Sequence, residues 1–512
     1  MADAAAGRPA ARPARRVLAD TRRVVGFDGD VAHRWHPARK HPEPVLRGDR
    51  PWDGTGAFVY GSVLRRGDRL GLWYQARAAV GGANTHAVAY AESGDGLRWE
   101  KPDLGVVPFE GSAANNLTDA VLHFPSVGRE GDGYWAVGHA AAGASAYGVD
   151  PGYPARGVYR LRSEDGARWR RDRRGGDGPL WPAAPGEGAG AGAGAFAPGG
   201  AYGPPGDVNA VVYDAPRRRY LGAEKRHIAL GGFHRRAFAC RTSADGLTWT
   251  GPRMALAPDE SDDRRARDLG LHRADFYGLT FHPYPEFVLG FVWVFYMTAP
   301  PAPAWPARRA LYGWGPDGRI AEVQTVLSYD GEFWVRPPGR PALIAAGERG
   351  AWDGANLATA AAPVDAGDET FHYYGAGPIF HGAHARPPDG LRPPVGAYAA
   401  TGLARMGRDR YASFGASAGG SVLLDHGPVA GRRLRVNAAA AQGSVRAAVL
   451  DAAGRPLPGL DLESCRPFHG DAVDGEVGWA AADLSAVPAG QPVAIRFVLQ
   501  EADLYAYEVT DR

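Results

Sequence analysis

One heptapeptide, Ser-x-Asp-Gly-x-x-Trp, occurs four times in this chain, at Ser93–Trp99, Ser163–Trp169, Ser243–Trp249 and Ser328–Trp334. The copies start 70, 80 and 85 residues apart. Self-similarity at such a period decides the architecture before any single residue does. Asp-Gly between β-rich runs is a hairpin signal, because both residues tolerate the positive φ of a tight turn. The tryptophan three residues past the glycine is placed to fold back over that turn. The motif therefore predicts the joint between the last two strands of a repeated unit, and no chemistry is assigned to it.

A second repeat lies upstream of each copy. It is a β-rich run, a polar turn and an aromatic-rich run, and it occurs at 57–77, 120–140, 208–226, 277–295 and 357–377. Each reads as two strands joined by a short loop. The fifth is followed by "YAATGLARMGRDRYASF" (398–414), with Arg408–Asp409–Arg410 in the turn. Five units of four strands predict an all-β fold, a five-bladed β-propeller, an architecture that leaves only short edges. The blades are expected at 18–115, 116–206, 207–274, 275–352 and 353–414. Residues 1–17, rich in Ala, Pro and Arg, read as a disordered arm, and 175–206 as a flexible Gly/Ala/Pro insertion. From 415 to 512, alternating apolar and polar residues between Gly/Pro turns predict a C-terminal β-sandwich.

Composition excludes several classes. The 512 residues carry a formal net charge of +2 with no basic stripe, which argues against a nucleic-acid partner. No run of 18 apolar residues is present, so no membrane span is expected. The N-terminus lacks the apolar core of a signal peptide, and the expected compartment is the cytoplasm. Cys240 and Cys465 stand 225 residues apart and read as buried free thiols. The histidines show no metal spacing. No metal ligands are assigned and no cofactor is required, a channel ion such as calcium being the one addition left open. Nothing in the sequence sets an oligomeric state.

The layout resembles the five-bladed propeller glycosidases of glycoside hydrolase families 32 and 43, and more closely the uncharacterised bacterial family-32-like group. The stretches that carry the resemblance are "GDGLRWEKPDLG" with "SAANNL" (112–117), residues 328–357, "GRPLPGLDLESC" (454–465) and "DLYAYEV" (503–509). The resemblance implies a propeller followed by a sandwich, and action on a sugar without a dissociable organic cofactor. The Asn-Asp-Pro-Asn, Arg-Asp-Pro and Glu-Cys motifs of the invertase-like enzymes are absent, and Ala239 precedes Cys240. Their catalytic residues are therefore not carried over.

In a propeller the first strand of each blade lines the axis, so its entry loop is where chemistry is expected. These loops are "PWDGTG" with Trp52 and Asp53, "AANNLTDA" with Asn115, Asn116 and Asp119, "GDVNA" with Asp207 and Asn209, "HRADFYG" with His272, Arg273, Asp275 and Tyr277, and "AWDGAN" with Trp352, Asp353 and Asn356. An Asp at each entry predicts an acidic pocket. Glycoside hydrolysis asks for two carboxylates across the scissile bond. The expected catalytic groups are Asp53 as general base, Asp207 orienting the sugar, and Asp275 or Glu224 as general acid. Trp52, Asn116, Asn209, Arg226, Tyr277, Trp352 and Asp353 are expected to contact a carbohydrate substrate. Two rival readings are a non-catalytic carbohydrate-binding propeller and a sugar lyase.

Overall fold

The four heptapeptides fold alike. Gly96 takes φ +77° and donates its N–H to Ser93 Oγ at 2.8 Å, while Asp95 accepts from the Leu97 and Arg98 N–H groups at 2.8 Å each. Asp165, Asp245 and Asp330 repeat this pattern. The N–H donors hold the Asp95 carboxyl below its ordinary value and that of Asp245 at about 2. At Asp165 and Asp330 burial pushes upward and the donors outweigh it. In the second and third copies the tryptophan does fold back, donating Nε1–H to the glycine carbonyl at 3.0 and 3.2 Å.

The structure, a computed structural model, describes residues 15–78, 87–181, 205–230, 233–297, 318–348, 350–378 and 399–511. Their regular structure is almost entirely β-strand, with one α-helix at Glu260–Asp268. Blade 1 is Gly56–Arg66, Arg69–Arg77, Ala87–Ser93 and Leu117–Val121. Blade 2 is His123–Glu130, Gly133–Ala140, Gly157–Ser163 and Arg170–Arg171, and blade 3 is Asn209–Asp214, Arg219–Leu230, Phe233–Ser243 and Arg253–Leu256. Blade 4 is Arg273–Pro283, Val288–Met297, Gly318–Ser328, and an outer position shared by Trp334–Val335 and Ala342–Ala345. Blade 5 is Asn356–Thr359, Glu369–Gly377, Ala399–Gly407 and, as its outer strand, Arg39–Lys40. The fold is thus an all-β five-bladed propeller. Most of the insertion read at 175–206 lies outside the described residues.

The repeated glycines have a second job. An added Cβ would lie 2.6 Å from Tyr373 Oη at Gly96, 2.8 Å from the Trp73 ring at Gly166 and 3.1 Å from Leu221 at Gly331. At Gly246 it would meet Arg160. Each hairpin therefore docks on the blade before it, the first closing on blade 5. Tyr373 and Trp73 donate to the Gly96 and Gly166 carbonyls at 2.8 and 2.7 Å.

Contacts divide the chain into one unit of Ala38–Val364 with Phe371–Arg405, and another of residues up to Pro37, Asp365–Thr370 and Met406 onward. Blade 5 departs from the expected order. The turn at 408–410 forms, with Asp409 at φ +67°, but the strand after it, Ala412–Ala416, pairs with Ala32–Trp35 and Ala502–Thr510. Val24–Gly29, read from the sequence as part of blade 1, pairs with Gly420–Pro428. Arg16–Val17, in the expected disordered arm, pairs with Tyr507 and Ala506. The C-terminal unit is a sandwich built on the 18-residue strand Arg433–Leu450. Its first half pairs with Phe468–Trp479 and Ala502–Thr510, and its second half with Pro492–Gln500. Leu434, Val436, Val449, Ile495, Phe497 and Leu504 are among its buried core.

The first strands of blades 1 to 4 touch in succession, and that of blade 5 touches that of blade 1. Thr280 and Thr359 join blades 4 and 5 through a 2.9 Å hydroxyl pair, to which Trp293 Nε1 also donates at 2.9 Å. Trp293, Phe124 and Tyr60 fill the middle of the axis, with ring centroids 5.5–6.0 Å apart for the pairs involving Trp293. Trp293 reaches that place because Gly278 has no Cβ, which would stand 2.2 Å from the indole.

Candidate functional site

The entry-loop carboxylates do not converge. Asp53 is fully buried. One oxygen accepts from the Asp49 and Arg50 N–H groups at 3.0 and 2.9 Å, and the other from Tyr74 Oη at 2.8 Å and Lys101 Nζ at 2.6 Å. All these partners belong to the blade 1 region. Asn116 joins the same network, donating to Tyr74 Oη at 2.8 Å and accepting from Trp52 Nε1 at 2.6 Å. Asp353 repeats the arrangement, accepting from Lys40 at 2.7 Å and Tyr374 at 3.2 Å. Trp352 stacks on Tyr374 and donates to the Pro42 carbonyl. In both Trp-Asp-Gly segments the aspartate therefore anchors a loop to the blade's second strand. A general base needs an open face toward water, and Asp53 has none.

Asp275 and Glu224 are buried in ion pairs as well. Asp275, fully buried, lies 2.9 Å from Arg236, 3.7 Å from Arg235 and 3.8 Å from Arg273. Glu224, also fully buried, is clasped by Arg241 at 2.5 Å and Arg226 at 2.7 Å. The run Glu224–Lys225–Arg226 is buried throughout, charged as it is. Successive strand residues point to opposite faces. Glu224 meets Arg226 and Arg241 on one side, and Lys225 goes to the other.

Lys225 faces Asp207. Its ammonium pairs with Asp207 Oδ1 and lies 4.0 Å from the centroid of the Tyr277 ring. Gly206, beside Asp207, makes room, since a Cβ there would stand 2.8 Å from Lys225 Cε. Asn209 fixes this corner, donating to the Gly206 carbonyl at 2.8 Å and accepting from the Lys225 N–H at 3.3 Å. Asp207 keeps 40% of its side-chain surface open, and His123 Nε2 lies 4.0 Å from its Oδ2. The His123 ring sits 4.9 Å from that of Tyr60, whose hydroxyl hydrogen-bonds Tyr277. Tyr277 stands at a bulge in its strand, between Phe276 and Gly278, a device that re-aims a side chain. Arg77, at the end of the second strand of blade 1, covers Phe58 at 4.7 Å and acts electrostatically on both tyrosine hydroxyls.

Four blades thus send Tyr60 and Arg77, His123, Asp207 and Lys225, and Tyr277 to one end of the axis. Their electrostatics are basic, where the sequence predicted an acidic pocket. Burial would raise the Asp207 carboxyl, but the Lys225 charge, the neighbouring His123 and His139 rings and the Lys225 hydrogen bond together outweigh it and hold the group well below the usual carboxylate range. Burial brings Lys225 down to about 8, with Asp207 acting in the opposite direction. His227, two residues along from Lys225, is pushed to about 3 by burial and then by the Arg236 and Lys225 charges. Burial raises the Tyr277 hydroxyl, with Asp207 adding to it. The arrangement offers one open, ionised carboxylate beside an imidazole, two phenols and an excess of cations. Among the described residues no group of three or more His, Cys, Asp or Glu could hold a metal ion.

Of the sequence-predicted residues, Asp207, Asn209 and Tyr277 meet here, while Glu224 and Arg226 lie on the far face of the same strand. Asp53, Trp52 and Asn116 form a separate network, as do Trp352 and Asp353. Lys225, His123, Tyr60 and Arg77 were not singled out from the sequence. Strand alternation was the available signal for Lys225, and the inner-strand position for Tyr60 and His123.

No family model matches this sequence, and no curated protein does. Solved structures with a similar fold include glycoside hydrolases. One is the Bombyx mori GH32 beta-fructofuranosidase BmSUC1, at 8% identity and TM-score 0.42 over 92% of this chain and 94% of that one. Another is an exo-beta-1,3-galactanase from Phanerochaete chrysosporium, at 11% identity and TM-score 0.37 over 91% and 99%. The beta-1,2-mannobiose phosphorylase from Listeria innocua gives 11% identity and TM-score 0.40 over 72% and 96%. At these identities and TM-scores the likeness assigns no activity.

Proposed function

We propose that the protein is a carbohydrate-active enzyme that cleaves a glycosidic bond at the axial end of the propeller, with Asp207 as its catalytic carboxylate. The observation that carries this reading is the openness of Asp207, since Asp53, Asp275, Glu224 and Asp353 are all buried in fixed partnerships. Lys225 keeps Asp207 ionised, as a base toward water or a nucleophile toward the anomeric carbon requires. His123, 4.0 Å away, is the adjacent group able to carry the proton a leaving oxygen needs. Tyr60 and Tyr277 offer ring edges and hydroxyls to a sugar.

The test is a panel of 4-nitrophenyl glycosides and oligosaccharides assayed with wild type, Asp207→Asn and His123→Gln. Asp207→Asn is expected to lose about 10²–10⁴ in rate while the protein stays folded. A second reading, a carbohydrate-binding propeller without catalysis, is favoured by the sequestration of the other four carboxylates. It replaces the first if wild type binds sugars, cleaves none, and Asp207→Asn only weakens binding.

A further inference from the structure

Arg77 is a guanidinium without an acidic side chain beside it among the described residues. Its side-chain contacts are the Phe58 ring, at 4.7 Å, and the field of the Tyr60 and Tyr277 hydroxyls. A half-buried cation left without a counterion is costly, so such groups are paired or wait for a ligand. The described surroundings give it no compensation. The Asp207 charge is taken by Lys225, and Asp275 is shared by Arg235, Arg236 and Arg273. The His227 imidazole registers the same imbalance, its pKa driven down by burial and then by the Arg236 and Lys225 charges.

We infer that the sugar taken by this site carries an acidic group, a uronate carboxylate or a sulfate ester, and that Arg77 receives it. This rests on the axial end being the carbohydrate site, as proposed above. Both groups present two anionic oxygens that can accept from the paired N–H donors of the guanidinium fork. The acidic group sits over Arg77 and the tyrosine hydroxyls, and the Lys225 charge offsets the repulsion that Asp207 would otherwise exert on it. A neutral hexose would leave Arg77 buried under the ligand without a partner, which penalises neutral sugars rather than merely failing to favour them.

The experiment measures binding by calorimetry to wild type, in which Lys225 keeps its Asp207 partner, and product analysis of each sample checks that turnover does not intrude. The probes are matched methyl glycosides of glucose and glucuronic acid, and of galactose and galacturonic acid, in both anomers, with galactose 6-sulfate as the sulfate arm. The acidic member of at least one pair is expected to bind about tenfold or more tightly than its neutral partner, the size of one good charge-assisted contact. That preference should shrink with added salt and vanish in Arg77→Gln, while Arg77→Lys retains part of it. Whichever arm keeps the preference, carboxylate or sulfate, identifies the source. Equal or tighter binding of the neutral sugars overturns the inference, as does a preference that survives Arg77→Gln. Should Arg77→Gln fail to fold, the matched pairs and their salt dependence in the parent protein decide. Cleavage of neutral sugars alone would sink this inference and leave the proposed activity standing. Tight acidic binding with no cleavage by wild type would do the reverse.

Discussion

Replacing Gly96 by alanine tests the claim that the repeated hairpin holds neighbouring blades together. At φ +77° any L-residue is strained, by about 1–2 kcal/mol. The new Cβ would also stand 2.6 Å from Tyr373 Oη and 2.8 Å from Phe371 Cε2, both on blade 5. Forcing these rings back costs about 1–3 kcal/mol by overpacking. The total is about 2–5 kcal/mol. Gly67, at φ +64° with nothing within 4 Å of its Cβ position, isolates the backbone part. Gly67→Ala should therefore cost only about 1–2 kcal/mol. Equilibrium urea unfolding followed by circular dichroism and tryptophan fluorescence measures both. Tyr373→Phe should recover part of the Gly96→Ala loss, because it removes the atom nearest the new methyl, though it also gives up the 2.8 Å bond to the Gly96 carbonyl. A double-mutant cycle separates these effects. Equal losses at Gly96 and Gly67, with no coupling to Tyr373, would refute the interblade role.

Asp53→Asn should destabilise the fold by about 3 kcal/mol, the lower end for breaking a buried pair, because Asp49 remains on Lys101 at 2.6 Å. Activity per folded molecule should hold; a selective loss of rate without a loss of stability would restore Asp53 as a catalytic group. Asp245, held at about 2 by backbone N–H donors, contributes stability above its unfolded value of about 3.9 that is lost as pH falls toward 2. The melting-temperature gap between wild type and Asp245→Ala should therefore narrow from pH 5 downward, and a gap independent of pH would contradict the capping role.

The blades were legible because their signals are local. Asp-Gly turns, and two apolar runs about a short loop, need no knowledge of distant residues. Closure of blade 5 was not, since its outer strand is the two residues Arg39–Lys40, too short for any pattern and set by pairing across the whole chain. The same holds for Val24–Gly29, whose partner lies nearly 400 residues away, at Gly420–Pro428. In the site, Asp207 is followed by Val208–Asn209 and not by the turn glycine that follows Asp53 and Asp353. Asp53 misled because an aspartate before glycine at a blade entry looks the same whether it faces the axis or anchors a loop. The repeat of its spacing was the missed clue, as Asp53 bonds Tyr74 and Asp353 bonds Tyr374, each 21 residues on. Lys225 was passed over in favour of its two neighbours, although alternation sends one of the three to the opposite face. The convergence of Tyr60, Arg77 and His123 on Asp207 depends on how blades close into a ring, which no single stretch of sequence states.

The most direct test of the axial site is a crystal structure of Asp207→Asn with a bound oligosaccharide selected by the calorimetric screen. The account predicts the sugar at the axial end, with a hydroxyl or glycosidic oxygen within hydrogen-bonding distance of residue 207 and of His123, and with a ring face against Tyr60 or Tyr277. A sugar found instead in the blade 1 groove beside Asp49, Trp99 and Lys101, or on the C-terminal sandwich with the axial end empty, would contradict it.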